Sequence, residues 1–272
     1  MKVPRMGGFE VAECEHLYAI SRRVKTSVAK DPSVGSYLVR QTSSHLRYNS
    51  SAIPAFSRIA PWTALRSHMN RRLTMPQNVA IEQLTISDWV KGLVAIPVRD
   101  FTLENVQDYI IRHAVRPETL DMYCYFSKGC YTRNLIFKND LFECMTVCWE
   151  IGQHSRIHNH RNQNCWMSAP IGRLRVQNYR VDQRDVSHGT CKIIPTDTYD
   201  LDATHPAYVN PIEPVHEVIN LAELNQRAVS IHVYSKPFDS CEVYLRDQGT
   251  YSDVPLFYTS EYGKLNPTEK LL

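Results

Sequence analysis

The sequence has no long hydrophobic run. Its longest stretch of apolar residues without a charge is Gly92–Val98, far short of the roughly 18–20 residues that a membrane-spanning helix needs. Glycine is scarce, at 10 of 272 residues, and has no period, which excludes collagen-like repeats and Gly-rich linkers. No CxxC pair occurs among the eight cysteines, so neither a zinc ribbon nor a thioredoxin-type motif has residues to rest on. No compact apolar segment follows the first basic residues, so no secretory signal is expected. A net charge of +3 does not point to nucleic acid.

What is present fits a globular protein. The chain is 43% hydrophobic and 22% charged, enough apolar material for a real core. Cys144 and Cys148 lie in an apolar, strand-like run, where cysteine behaves as a small buried hydrophobe. Together with the missing secretory signal, this reads as a reducing compartment, the cytosol. Charge is divided unevenly. Residues 1–75 carry twelve Lys and Arg against four acids, and no acid falls between Asp31 and Glu82. This stretch reads as a basic, flexible extension. A targeting segment fits less well, because Glu10, Glu13 and Glu15 stand near its start. An interaction tail or a misassigned start are the other readings. Residues 76–272 then form the folded domain.

Two short helices are expected first. Thr85 or Ser87 can cap one that presents Trp89, Val90 and Leu93. Thr102 can cap another with Val106, Tyr109, Ile110 and His113 on one face. From Tyr131 onward the composition changes to short strands: Leu141–Trp149, Arg173–Val181, Lys192–Pro195, His216–Asn220 and Val229–Tyr234. Turns are expected at Lys138-Asn139-Asp140, Ala169-Pro170, Ser187-His188-Gly189 and Asn210-Pro211. The aromatic segment Met122–Tyr131 reads as core, with Tyr131 the exception. The pattern is mainly β with N-terminal helices, an antiparallel sandwich or barrel.

The segment Gly152-Gln153-His154-Ser155-Arg156-Ile157-His158-Asn159-His160 carries the sharpest chemical signal. In an extended strand, i and i+2 side chains share a face, so His158 and His160 can reach one ion. A third histidine from a distant strand, His216 or His232, would complete a facial triad with open positions. Such a site suits non-haem Fe(II), with Zn, Ni, Cu and Mn as alternatives on ligand type alone. In Ser230-Ile231-His232-Val233-Tyr234, alternation places Ser230, His232 and Tyr234 on one face. That face is either in water or paired in a hydrogen-bonded row, because a buried unpaired polar group costs about 1–3 kcal/mol. His154 reads as a non-ligand, and His188 and His205 as exposed.

Several blocks carry a wider likeness. They are Cys130-Tyr131-Thr132-Arg133-Asn134-Leu135, Cys148-Trp149-Glu150-Ile151-Gly152, Ile157-His158-Asn159-His160 with Asn162 and Cys165, and Gly172-Arg173-Leu174. Two more are His216-Glu217-Val218-Ile219-Asn220 and Val229 to Cys241. In these residues, over about 84–260, the sequence resembles the cysteine dioxygenases, thiol oxygenases with a cupin (jelly-roll) antiparallel β-barrel. The resemblance implies His158, His160 and His216 as ligands of Fe(2+), and Ser230, His232 and Tyr234 as a hydrogen-bonded row beside the metal. It implies Cys165 and Tyr234 as partners in a thioether cross-link, and Arg133 and Tyr131 as holders of the substrate carboxylate. Cys165 stands where most cupins carry Glu. The reaction implied is L-cysteine and O2 to 3-sulfinoalanine, in cysteine catabolism towards taurine, by a monomer with no nucleic-acid or membrane partner. A 3-mercaptopropionate dioxygenase, which usually has Gln in the place of Arg133, and a non-catalytic metal-binding cupin are the alternatives. One departure stands out: the family commonly has Ser-Pro-Pro with a cis bond where this chain has Ser235-Lys236-Pro237. A cis bond before Lys236 would cost about 2.5–4 kcal/mol, so either that cost or a rearranged turn is expected.

Overall fold

The computed structural model describes residues 81–209 and 215–267. The basic stretch 1–75 and the Asn210-Pro211 turn lie outside them.

Both helices form where their caps and spacing place them. Helix α1, Ile86–Ala95, starts at Thr85, whose hydroxyl accepts the Asp88 N–H at 3.1 Å. It buries Ile86, Trp89, Val90 and Leu93, a one-sided i, i+3, i+4, i+7 stripe. Helix α2, Leu103–Arg112, starts at Thr102 and buries Val106, Gln107, Ile110 and Ile111. His113 ends α2 rather than extending its apolar face, and opens a short strand, β2, His113–Val115. This strand pairs in parallel with β1, Glu82–Leu84.

The remaining strands make two antiparallel-rich sheets. One runs β14-β13-β3-β4-β10-β5-β8, with β3 Thr132–Lys138, β4 Phe142–Trp149, β5 Cys165–Ile171, β8 Ala207–Tyr208, β10 Ala228–Ser235, β13 Ser260–Glu261 and β14 Lys264–Leu265. The other runs β11-β12-β7-β6-β9, with β6 Leu174–Asp185, β7 Thr190–Leu201, β9 Val215–Ile219, β11 Ser240–Leu245 and β12 Thr250–Pro255. Neighbours far apart in sequence, such as β4 beside β10 and β6 beside β9, are the crossovers of a jelly roll. The fold is a cupin: mainly β, with helices ahead of it.

Two layers of core result. Met145, Val147, Trp149, Met167, Leu174, Val176, Leu201 and Val218 meet between the sheets. Phe142, Cys144, Cys148, Trp166, Val229, Ile231 and Val233 point the other way and are covered by α1 and α2. Strands β4 and β10 are therefore buried on both faces, which is why they read as near-continuous apolar runs. Trp89, Trp149 and Trp166 are each at most 1% exposed, and truncating any one to alanine should cost about 3–5 kcal/mol. Each indole N–H still finds an acceptor, His113 O, Ser230 Oγ and Leu103 O at 2.9–3.0 Å.

Three expectations are corrected. Ala169-Pro170 is not a turn but lies inside β5, where the register with β10 slips between Val229 and Ile231. A bulge is one of the few places in a sheet where proline's missing N–H is tolerated. Met122–Tyr131 is core only in part: Tyr123, Cys124 and Phe126 pack against it half-buried, whereas Met122 is 57% exposed, and the segment runs along the sheet with its Tyr123 and Tyr125 carbonyls accepting from the Thr146 and Thr132 hydroxyls. The turn after Tyr234 is rearranged, with no cis bond among the described residues and Lys236 left-handed at φ 61°. The Lys236 N–H donates to Leu141 O at 2.6 Å, and Ser235 exchanges hydrogen bonds with Asn164 at 2.9 and 3.0 Å.

Candidate metal centre

His158 and His160 do not sit in a regular strand. They lie on an extended segment pinned by isolated antiparallel bridges from His158 to His216 and to Val243. The extended backbone still puts both imidazoles on one side, as the i, i+2 argument requires, and β9 delivers His216 opposite them. The nitrogens of His158, His160 and His216 lie within 4.8 Å of one another, and the three ring centroids are 4.8–5.1 Å apart. His232, the alternative third ligand, is on β10 and is not one of this group.

The surroundings fit a cation. His158 Nδ1 pairs with the Arg156 carbonyl at 2.8 Å, so Nδ1 carries the hydrogen and Nε2 is left as a lone-pair donor. His160 and His216, 1% and 0% exposed, have no hydrogen-bond partner at either ring nitrogen. A buried polar atom left unpaired costs about 1–3 kcal/mol, and one nitrogen from each ring, with one from His158, could share a common ion. Burial pushes His158 down to about 4, and burial followed by mutual proximity holds His160 and His216 well below the usual imidazole range. All three are neutral at pH 7, the state in which imidazole binds a metal.

The expected polar row on β10 is fully buried: Ser230 is 0%, His232 4% and Tyr234 5% exposed. The face is dry, and a hydrogen-bonded chain satisfies it. Trp149 Nε1–H can only donate, and it donates to Ser230 Oγ at 3.0 Å. Ser230 Oγ pairs in turn with His232 Nε2 at 2.9 Å, and His232 Nδ1 with Tyr234 OH at 3.0 Å. Burial, ahead of His158 and Arg133, pushes His232 down to about 3, so the ring stays neutral, with one nitrogen donating and the other accepting. Antiparallel register sets Cys165 of β5 opposite Tyr234; Cys165 is fully buried, and burial pushes its thiol well up while the neighbouring phenol pulls it down. The Tyr234 ring centroid is 5.2 Å from that of His160, so the row ends beside the three imidazoles.

Arg133 reaches the same space from β3. Its Nη1 donates to the Phe257 carbonyl at 3.3 Å, and the guanidinium lies over the Tyr258 ring, 5.3 Å from its centroid. Among the described residues no carboxylate comes within ion-pair distance of it. Its charge is felt at His158, His160, His232 and Tyr234. Tyr131 stacks on Trp149 with centroids 4.8 Å apart, which ties it to the head of the β10 chain. His154, with a 56% exposed side chain, faces Glu217 instead, and the His188 and His205 side chains are 76% and 70% exposed.

Two partners escaped the sequence reading. Trp149 looks like one more core aromatic until the register of β4 on β10 sets it across from Ala228, near Ser230. Glu143, opposite Tyr234 in the same register, is 0% exposed, accepts from the Tyr258 hydroxyl and has Oε1 unpaired; burial raises its carboxyl above the usual range. Only a known register could have marked either.

The comparisons with known proteins point the same way as the site. The family model of cysteine dioxygenase type I matches residues 75–247. The chain is 29% identical over 197 residues to cysteine dioxygenase type 1 of Danio rerio, covering 72% of this chain and 96% of the relative. To the Homo sapiens protein of the same name it is 28% identical over 195 residues, covering 71% and 95%. A more distant likeness joins it to a Klebsiella pneumoniae protein with a double-stranded β-helix domain, at 14% identity, TM-score 0.35 and coverage of 50% and 87%. The family match runs from ahead of α1 to just past β11 and spans the three histidines, the β10 row, Cys165, Arg133 and Tyr131. The chain belongs to the cysteine dioxygenase type I family.

Proposed function

We propose that the protein is an Fe(II)-dependent cysteine dioxygenase that converts L-cysteine and O2 to 3-sulfinoalanine, both oxygen atoms ending on sulfur. The observation that carries this reading is the convergence of three neutral imidazoles, two of which, His160 and His216, have ring nitrogens buried without a partner. His158, His160 and His216 would hold the ion. Fe(II) bound there would supply the redox chemistry for O2 and favour a thiolate over a thiol.

The protein's own groups do the rest. Arg133 offers a planar donor fork to the substrate carboxylate, a geometry lysine does not provide, and Tyr131 closes the same side. Tyr234 is held by His232 and directs its remaining O–H towards charge that develops at sulfur and oxygen. In the His232 tautomer that donates from Nδ1 to the phenol, Tyr234 can give that hydrogen bond without losing its place. The enclosing aromatics, Tyr131, Trp149, Tyr234 and Phe238, keep bulk water out. The same geometry supports a thioether between Cys165 Sγ and the Tyr234 ring carbon ortho to the hydroxyl. One hydrogen leaves each partner, and O2 takes up both with the electron pair. The bond would remove the rotamer freedom of Tyr234.

Cys165→Ser is therefore expected to give one band on a denaturing gel where the wild type gives two, the faster one cross-linked. Two bands in both proteins would rule this pair out. Substrate choice is tested with cysteine and 3-mercaptopropionate on the purified protein. The presence of Arg133 predicts higher kcat/KM for cysteine, and the reverse order would make 3-mercaptopropionate the substrate.

A further inference from the structure

A second polar cluster lies directly behind the 158–160 segment. Its hub is Glu242 of β11, 8% exposed. The carboxylate accepts from Arg184 Nη2 at 2.6 Å and Nη1 at 3.0 Å, from the Tyr244 hydroxyl at 2.9 Å and from Asn159 Nδ2 at 2.7 Å. Oε2 takes three of these bonds and Oε1 one. Arg184 is itself laid over the Tyr251 ring, 4.1 Å from the centroid.

Asn159 is the residue between His158 and His160, and Glu242 grips it three times. Besides the side-chain bond, the Asn159 N–H donates to the Glu242 carbonyl and the Glu242 N–H donates to Asn159 Oδ1, both at 3.1 Å. The Tyr244 N–H donates to Ile157 O at 2.8 Å just upstream. Asn159 points away from the face its two neighbours share, so the histidines aim into the barrel because Asn159 is held outside it. A regular strand would have fixed that aim by its ladder. Here the segment has only isolated bridges, and the β11 clamp takes the ladder's place.

We propose that Glu242, held by Arg184, is a positioning residue for the metal centre, setting the direction of the His158 and His160 imidazoles through Asn159. This rests on the reading of those histidines as ligands. A plain stabilising ion pair between β6 and β11 would share the same contacts but would not affect metal affinity.

The test uses the full-length protein. Fe(II) affinity is measured anaerobically by competition with a chromogenic chelator, beside the melting temperature of the metal-free form. Glu242→Ala is expected to weaken Fe(II) binding about 10- to 100-fold, the usual loss for an outer partner of a metal ligand. Asn159→Asp sets two carboxylates against each other and should weaken binding as well. The double variant Asn159→Asp with Glu242→Gln moves the carboxylate across the same hydrogen bond and should recover most of the affinity. A lower metal-free melting temperature with unchanged affinity in Glu242→Ala, while His158→Ala loses iron, would overturn the inference alone. Should Glu242→Ala fail to fold, the absence of recovery in the double variant overturns it equally. Iron retained by His158→Ala would overturn both this inference and the ligand reading beneath it.

Discussion

His216→Ala protein is expected to fold and to lose its iron. His216 is one of three ligands, the only one on β9, and no other described histidine stands within reach to replace it. Its loss should weaken Fe(II) binding more than the roughly 10–100-fold typical of an outer partner. The metal-free fold should tolerate the change. The substitution opens a small cavity, but it also removes two buried nitrogens that lack partners, each a burden of about 1–3 kcal/mol. The melting temperature should therefore stop responding to added Fe(II), whereas the wild type should gain about 2.7 kcal/mol with metal at a hundred times Kd. His232→Ala is the matched contrast. It breaks the row between Ser230 and Tyr234 but touches no ligand nitrogen, so most iron should remain while turnover falls. Equal metal loss in both proteins would mean that the ligand set is wrong.

Arg133→Ala is expected to raise KM for cysteine steeply and to leave cysteamine, which has no carboxylate, nearly unchanged. A charge-assisted hydrogen bond is worth about 1.5–3 kcal/mol, and 1.4 kcal/mol is tenfold, so a loss of about 10- to 150-fold in cysteine affinity follows. The guanidinium also contacts Phe257 O and the Tyr258 ring, and that packing would be lost for both substrates alike. The ratio of the two KM changes is therefore the quantity to read. Equal changes would reduce Arg133 to a packing role. Arg133→Lys, with a charge but no fork, should fall between wild type and alanine.

Much of this was legible because short-range rules decided it. Thr85 and Thr102 cap their helices as their positions require, and alternation in 229–234 named the polar row before any register was known. Spacing put His158 and His160 on one side, as the structure does, but for a partly wrong reason, since an extended segment outside any ladder has the same i, i+2 geometry as a strand. Alternation also left open whether Ser230, His232 and Tyr234 faced water. The answer depends on what lies across the barrel, which is a long-range fact. Strands β3 and β5 went unrecognised because Arg133, Asn134 and Pro170 interrupt their apolar pattern. Two of those interruptions have visible causes: Arg133 faces the candidate site and Pro170 sits at a bulge. Glu242, Arg184 and Asn159 are spread over 84 positions of sequence, and only the fold brings them together.

The most direct test is O2 uptake with L-cysteine by purified protein of known metal content. The account predicts nearly one iron per chain, equimolar consumption of O2 and cysteine with 3-sulfinoalanine as product, and loss of uptake when a chelator strips the iron. Protein that carries zinc or no metal as isolated, and that consumes no O2 with cysteine after anaerobic loading with Fe(II), would contradict it.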